Sequence, residues 1–162
     1  MNTSMTRGIV TRPCLTTLVL VFAVGAAAIT SPVHAGKIIN TTNSGYAIGG
    51  YDPVAYFTMG RAVQGSRDIV YEWLGAKWLF ANAEHRELFV ADSFKYLPQH
   101  GGYCSSAAKS GSQGYIDPRA WQIVDGKLYL FYSNRTKQRF KKDDPAVVEA
   151  DARWEKVKAG LE

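Results

Sequence analysis

Residues 120–132 read AWQIVDGKLYLFY, two runs of aromatic and aliphatic residues on either side of Asp125-Gly126. An Asp-Gly pair between two such runs is a strong short-range sign of a β-hairpin, because both residues accept the backbone of a tight two-residue turn. We therefore predict antiparallel strands at 120–124 and 127–132.

A second hairpin is predicted upstream of the first. Ile69, Tyr71 and Trp73 alternate with residues that would face the other side of a strand. A turn at Gly75-Ala76 and a second run at 77–81 complete the hairpin.

Short helices are predicted around the two hairpins. Together with the hairpins they indicate an α+β fold, a small single domain of short antiparallel hairpins with several short helices. No internal repeat is evident. The helices are expected to begin at Asp52-Pro53, at Asn82, near Tyr103, near Asn134 and at Pro145, and the last one places Val148, Ala152 and Trp154 on or near one face.

Length, composition and charge narrow the class of protein. The 162 residues suit one domain, and 46% apolar with 20% charged residues is close to the globular average, which excludes a disordered or collagen-like chain. The net charge of +5 is too mild for a nucleic-acid-binding tail. Phosphate loops, dinucleotide fingerprints and G-x-S-x-G elbows are absent from the sequence. Kinase, dehydrogenase and hydrolase activities and an organic cofactor therefore have no support.

Residues 1–35 are predicted to be a secretory signal peptide. Arg7 and Arg12 supply positive charge, residues 15–29 are apolar, and Ala35 ends a small-residue cleavage motif. The apolar run is short for a membrane span, which needs about 20 residues, and an uncleaved anchor is the alternative. Cleavage near Ala35 gives a periplasmic or secreted protein with no membrane span.

Cleavage also changes the cysteine count. Cys14 is removed and Cys104 remains as a lone thiol, which cannot form an internal disulfide. Residues 36–49 are polar and rich in Asn, Thr and Ser, and we predict a flexible lead-in there.

Five short landmarks follow one another between residues 50 and 132. They are GYDPVAYF at 50–57, WLF at 78–80, PQHGGYC at 98–104, DPRAW at 117–121 and GKLYL at 126–130. Together they resemble the YHS domain family in its exported bacterial form. The resemblance implies a small α+β module over residues 50–162 with a C-terminal helical extension. It also implies metal handling, because some YHS domains are attached to heavy-metal transport ATPases. The selenocysteine that some exported members are thought to carry implies redox chemistry at Cys104.

The candidate site is His100-Gly101-Gly102-Tyr103-Cys104. The two glycines allow a sharp turn, and a cysteine in the first turn of the next helix would be stabilised as a thiolate. Thiolate is the form that attacks and that binds metal, and with imidazole it suits Cu(I) or Zn. Cys104 and His100 are therefore the predicted metal ligands, with copper favoured over zinc.

Tyr51, Asp52 and Tyr103 are the candidates for lining a pocket beside Cys104. Asp52 has an alternative explanation as a helix cap. His85, early in a predicted helix, is expected to be solvated surface.

Three functions follow from these residues. The first is a soft-metal carrier or accessory protein rather than an enzyme. The second is a thiol-dependent redox protein with Cys104 as the catalytic nucleophile. The third is a non-catalytic interaction or ligand-binding module with an inert cysteine, which a buried Cys104 would favour. The expected partners are a metal ion or small molecule and a periplasmic protein, not nucleic acid.

Overall fold

Two β-hairpins with short helices between and after them make up the described part of the chain. The computed structural model describes Met1 and residues 37–161, so the predicted signal peptide lies outside the described residues apart from Met1. The predicted α+β class is confirmed, because each hairpin forms its own two-stranded antiparallel sheet. The strands are β1 (Ser66–Trp73), β2 (Ala76–Phe80), β3 (Asp117–Val124) and β4 (Lys127–Phe131).

Most of the helices are short. Two single turns of 3-10 helix occur at Ile48–Gly50 and Gln99–Gly102. Between residues 37 and 161, no helix is both long enough and apolar enough to cross a membrane. The α-helices are α1 (Ala55–Thr58), α2 (Ala83–Ala91), α3 (Ser93–Tyr96), α4 (Ser105–Ala108), α5 (Asn134–Gln138) and α6 (Pro145–Ala159).

The Asp125-Gly126 turn is confirmed. Val124 pairs with Lys127, and both turn residues have left-handed backbone angles (φ 51° and 72°), as a two-residue hairpin turn requires. In the other hairpin the turn lies one residue earlier than predicted, at Leu74-Gly75 (φ 51° and 70°).

The two hairpins are copies of one structure. Ser66 pairs with Phe80 in the first, and Asp117 pairs with Phe131 in the second, 51 positions further along. All the other strand pairs follow the same offset, including the irregularity that follows the first pair. The expectation that the chain holds no internal repeat is therefore wrong. The two copies share few side chains, which hides the repeat in the sequence.

The repeat extends to the segments on both sides of each hairpin. Ile48-Gly49-Gly50 and His100-Gly101-Gly102 both form three successive left-handed residues, and each triplet is followed by a tyrosine. After the hairpins, Asn82 caps α2 and Ser133 caps α5 through the same side-chain contact three residues on. We call residues 48–91 the first repeat and residues 100–138 the second repeat.

Residues 37–49 are packed, which corrects the predicted flexible lead-in. Ile39, Ala47 and Ile48 are buried. The N–H of Asn40 donates to the carbonyl of Gly101, 2.8 Å away, and the N–H of Ala47 donates to the carbonyl of Lys77, 2.9 Å away. The polar residues of this segment satisfy backbone and side-chain hydrogen bonds while its few apolar residues enter the core.

Helix α6 buries Trp154 as predicted, but Val148 and Ala152, predicted on or near the same face, are exposed. Its buried residues are Val147, Ala150, Asp151 and Trp154, at the spacing of one helix face. Val148, by contrast, is 53% exposed. Asp151 is a charged residue at a buried position, so this face of the helix does not show up as a run of apolar residues in the sequence.

Candidate functional site

The side chain of His100 is buried between α4 and α6. Its Nδ1 lies 3.2 Å from Oγ of Ser105, and its Nε2 lies 3.0 Å from Oδ1 of Asp151, within ion-pair distance but out of line for a hydrogen bond. Burial lowers the pKa of His100 in spite of the opposing effect of the Asp151 carboxylate. The imidazole is therefore neutral at neutral pH.

Asp151 is the centre of a second set of contacts. Its Oδ2 accepts a hydrogen bond from the hydroxyl of Tyr129, 2.8 Å away, and forms an ion pair with the ammonium of Lys142. Burial and this carboxylate together raise the pKa of Tyr129, so the phenol keeps its proton and remains a donor. The buried negative charge of Asp151 is thus compensated by Lys142, as a buried carboxylate requires.

Ser105, His100 and Asp151 have the residue types of a hydrolytic triad. A nucleophile must reach a substrate, however, and Ser105 is fully buried. Ser105 also does not line the cavity described next. The contacts of His100 therefore serve to hold the imidazole in place.

A cavity of about 400 Å³ lies between the turn after His100, the loop after α4, and α6. Its inner wall is formed by buried His100, Ala150 and Trp154, and its mouth by exposed residues, among them Arg153. The volume falls within the range typical of small-molecule sites. The lining residues are Ile38, His100, Tyr103, Ala108, Gly111, Ser112, Gln113, Ala150, Arg153, Trp154 and Val157.

The edge of this cavity is fixed by hydrogen bonds. The carbonyl oxygen of Lys37 accepts two hydrogen bonds, one from the hydroxyl of Tyr103 at 2.9 Å and one from Nε2 of Gln113 at 3.2 Å. Because these bonds join residues far apart in the chain, they hold Ile38 against the cavity. The walls are therefore formed before any ligand enters.

Unsatisfied polar atoms cluster around the same place. Within residues 37–161, the buried side-chain atoms without a hydrogen-bond partner belong to Gln99, His100, Asp151 and Trp154. Nε2 of His100 and Oδ1 of Asp151 nevertheless face each other at 3.0 Å, which leaves Oε1 of Gln99 and Nε1 of Trp154 without a nearby partner in this part of the chain. Of these two residues, Trp154 lines the cavity.

Cys104 lies beside this site without lining the cavity. It is 3% exposed and precedes the first residue of α4. Its N–H donates to the carbonyl of Gly114, just as the N–H of Asp52 donates to the carbonyl of Val63 in the first repeat. Cys104 and Asp52 therefore hold equivalent places in the two repeats, and both are core positions.

The predicted pocket residues separate into two groups. Tyr103 lines the cavity. Tyr51 packs against a core cluster drawn from both repeats (Ile48, Tyr56, Leu128 and Leu130) and does not line the cavity. Asp52 accepts the N–H groups of Val54 and Ala55, which is its predicted cap.

His85 is buried against Asp52, which corrects its prediction as solvated surface. Nδ1 of His85 lies 2.6 Å from Oδ2 of Asp52, and its Nε2 lies 3.1 Å from the hydroxyl of Thr58. The predicted helix cap Asn82 places His85 on the inner side of the first turn of α2. The buried partner Asp52, 33 residues earlier, could not be read from local sequence.

A metal site at Cys104 would need further side chains close by that can act as metal ligands. In the part of the chain that the structure describes, no three or more His, Cys, Asp or Glu residues are grouped so that they could hold a metal ion. Both nitrogens of His100 already face Ser105 and Asp151. The residues around Cys104 therefore do not fit a site of three or more protein ligands.

Sequence reasoning found His100 and Tyr103 but missed Asp151, Arg153 and Trp154. The available signal was the spacing of Val147, Ala150, Asp151 and Trp154 on one helix face.

Comparison of the chain with protein-family models, with curated proteins and with solved structures finds no match.

Proposed function

We propose that this protein is a small-molecule-binding module of the exported type and not an enzyme. The observation that carries this proposal is the cavity of about 400 Å³ with a buried inner wall and hydrogen-bonded edges. Sites of this size with mostly apolar walls and a few polar groups are the common form of ligand pockets. Of the three functions considered from the sequence, this is the third, a non-catalytic interaction or ligand-binding module with an inert cysteine.

The placement of Cys104 supports the proposal. A nucleophilic cysteine needs access and a thiolate-stabilising surrounding, and Cys104 is buried and does not line the cavity. Its counterpart Asp52 has a structural role in the first repeat, where its carboxylate accepts hydrogen bonds from backbone N–H groups. We therefore assign Cys104 a packing role.

A soft metal bound by Cys104 and His100, and a redox reaction at Cys104, stay predictions of the sequence. The YHS resemblance motivates both. Neither is favoured by a contact in the described residues, and the alkylation experiment in the Discussion distinguishes them from a packing role.

Binding of a neutral fluorescent probe, N-phenyl-1-naphthylamine, tests the proposal. We expect saturable binding of one probe per chain and its loss in Ala108→Trp, because Ala108 lines the cavity and an indole would fill it. Ala152→Trp is the matched control, since Ala152 is exposed on α6 and does not line the cavity. Equal probe binding by both variants would show that the cavity is not the site.

A further inference from the structure

Arg153 is the charged residue of the cavity wall. The other lining residues are apolar or neutral, and none of the lining residues is acidic. The Arg153 side chain is 44% exposed, which places it at the mouth while the buried residues form the interior. An entering ligand therefore meets the Arg153 guanidinium, which is paired with Glu149, at the opening and an apolar surface deeper in.

The guanidinium of Arg153 has donors to spare. Nη1 donates to Oε1 of Glu149 at 2.8 Å, and Nη2 donates to the carbonyl of Ala108 at 2.9 Å. A guanidinium carries five N–H donors in a fixed plane, so three remain for a ligand. The bond to Ala108 also orients this plane beside a residue that lines the cavity.

The cavity wall offers a further unused donor. The indole N–H of Trp154 is buried and has no acceptor in the described part of the chain. The Asp151 carboxylate, which would repel an anion, contacts His100 without lining the cavity and is paired with Lys142. Among residues 37–161, the cavity lining thus carries one cation, Arg153, and no carboxylate, since Glu149, which pairs with Arg153, does not line the cavity.

We infer that the cavity binds a small molecule with a hydrophobic body and a carboxylate group. The carboxylate lies at Arg153, where a planar guanidinium suits it, and the body lies against Ile38, Ala150 and Trp154. This inference rests on the proposed function and names the chemical class of its ligand.

Three probes with one body and different head groups test the inference. They are 3-phenylpropionate, 3-phenylpropan-1-ol and 3-phenylpropylamine, titrated by calorimetry into the purified full chain. We expect the carboxylate to bind up to about fivefold more tightly than the alcohol, as for a charge pair at a partly exposed site, and the amine to bind most weakly.

Variants separate this inference from the proposed function. Arg153→Gln should bring the ratio of carboxylate affinity to alcohol affinity close to one, whatever it does to the absolute affinities. Arg119→Gln, which removes an exposed charge from a residue that does not line the cavity, should preserve the preference. Equal affinity of wild-type protein for the carboxylate and the alcohol would overturn the inference and leave the proposed function standing. Failure of all three probes and of N-phenyl-1-naphthylamine to bind would overturn both.

Discussion

Nδ1 of His85 lies 2.6 Å from Oδ2 of Asp52, deep inside the first repeat. The same carboxylate accepts backbone N–H groups of Val54, Ala55 and Ala81. One fully buried side chain thus connects the start of α1, the end of β2 and the first turn of α2. A buried carboxylate is stable only with such partners, and removing it leaves their donors without an acceptor.

Asp52→Ala should therefore destabilise the protein strongly. We expect a loss of about 3 kcal/mol in the free energy of unfolding, because several buried donors lose their acceptor, measured by urea denaturation. Asp68→Ala is the control, because Asp68 is exposed and its carboxylate has no hydrogen bond or ion pair in the described residues. A loss in Asp52→Ala no larger than in Asp68→Ala would show that the network does not stabilise the fold.

His100 should make stability depend on pH. Burial lowers its pKa, so below about pH 6.5 the unfolded chain takes up the proton first and the folded state loses stability as pH falls. Above that pH the residue is neutral in both states and has no such effect. His100→Asn keeps a side chain that tolerates the left-handed backbone but does not titrate.

The measurement for His100 is the urea midpoint at pH 7 and pH 5. We expect a smaller drop for His100→Asn than for the wild-type protein, because the variant lacks the buried imidazole whose pKa is lowered by folding. Parallel decreases in the two proteins would contradict a buried neutral imidazole at position 100.

Gly101 should be irreplaceable for a steric reason. A Cβ built there would lie 1.8 Å from the carbonyl oxygen of Ile38, which is backbone and cannot move aside. Gly60 has a similar left-handed angle, φ 61° against 65°, with nothing within 4 Å of the same position. Both alanine variants carry the conformational cost of about 1 kcal/mol, and only Gly101→Ala adds the collision.

Thermal and urea unfolding of the two glycine variants give the comparison. We expect Gly60→Ala to lose about 1 kcal/mol and Gly101→Ala to lose several times more or to fail to fold. Similar losses in both would mean that the segment containing Ile38 is not held against Gly101.

Cys104 should react slowly with a thiol reagent in the folded protein. Since the residue is 3% exposed, alkylation by iodoacetamide requires local or global opening, and we expect its rate to rise steeply with urea. A Cys14→Ser background isolates this thiol. Adding Cys104→Ser and Ser110→Cys to that background gives an exposed thiol as the reference for reagent reactivity.

The same experiment distinguishes the three functions. Slow reaction that Cu(I) does not change supports a packing role. Fast reaction at neutral pH would indicate a redox thiol, and protection by Cu(I) would indicate a metal ligand.

The fold was predictable where local chemistry decides it. Asp125-Gly126 and the caps Asn82 and Asp52 act on the residues next to them, and these features were correctly predicted. The predicted position of the turn beside Leu74 was wrong by one residue, because a bulky aliphatic residue rarely adopts a left-handed backbone and Leu74 was not expected in the turn.

The site was less predictable because its contacts are long-range. Asp151 and His100 are 51 positions apart, and a buried acid on α6 breaks the apolar pattern by which a packed face is recognised. The repeat was missed because its two copies agree in backbone angles and strand register rather than in side chains. At the position where the first copy has the core residue Ile48, the second has His100.

Helix α6 has no counterpart in the first repeat, and this breaks the equivalence of the two halves. Its residues Ala150, Arg153, Trp154 and Val157 supply one side of the cavity. Under the proposed function, this one helix gives a fold with two similar hairpins a binding site on one side only.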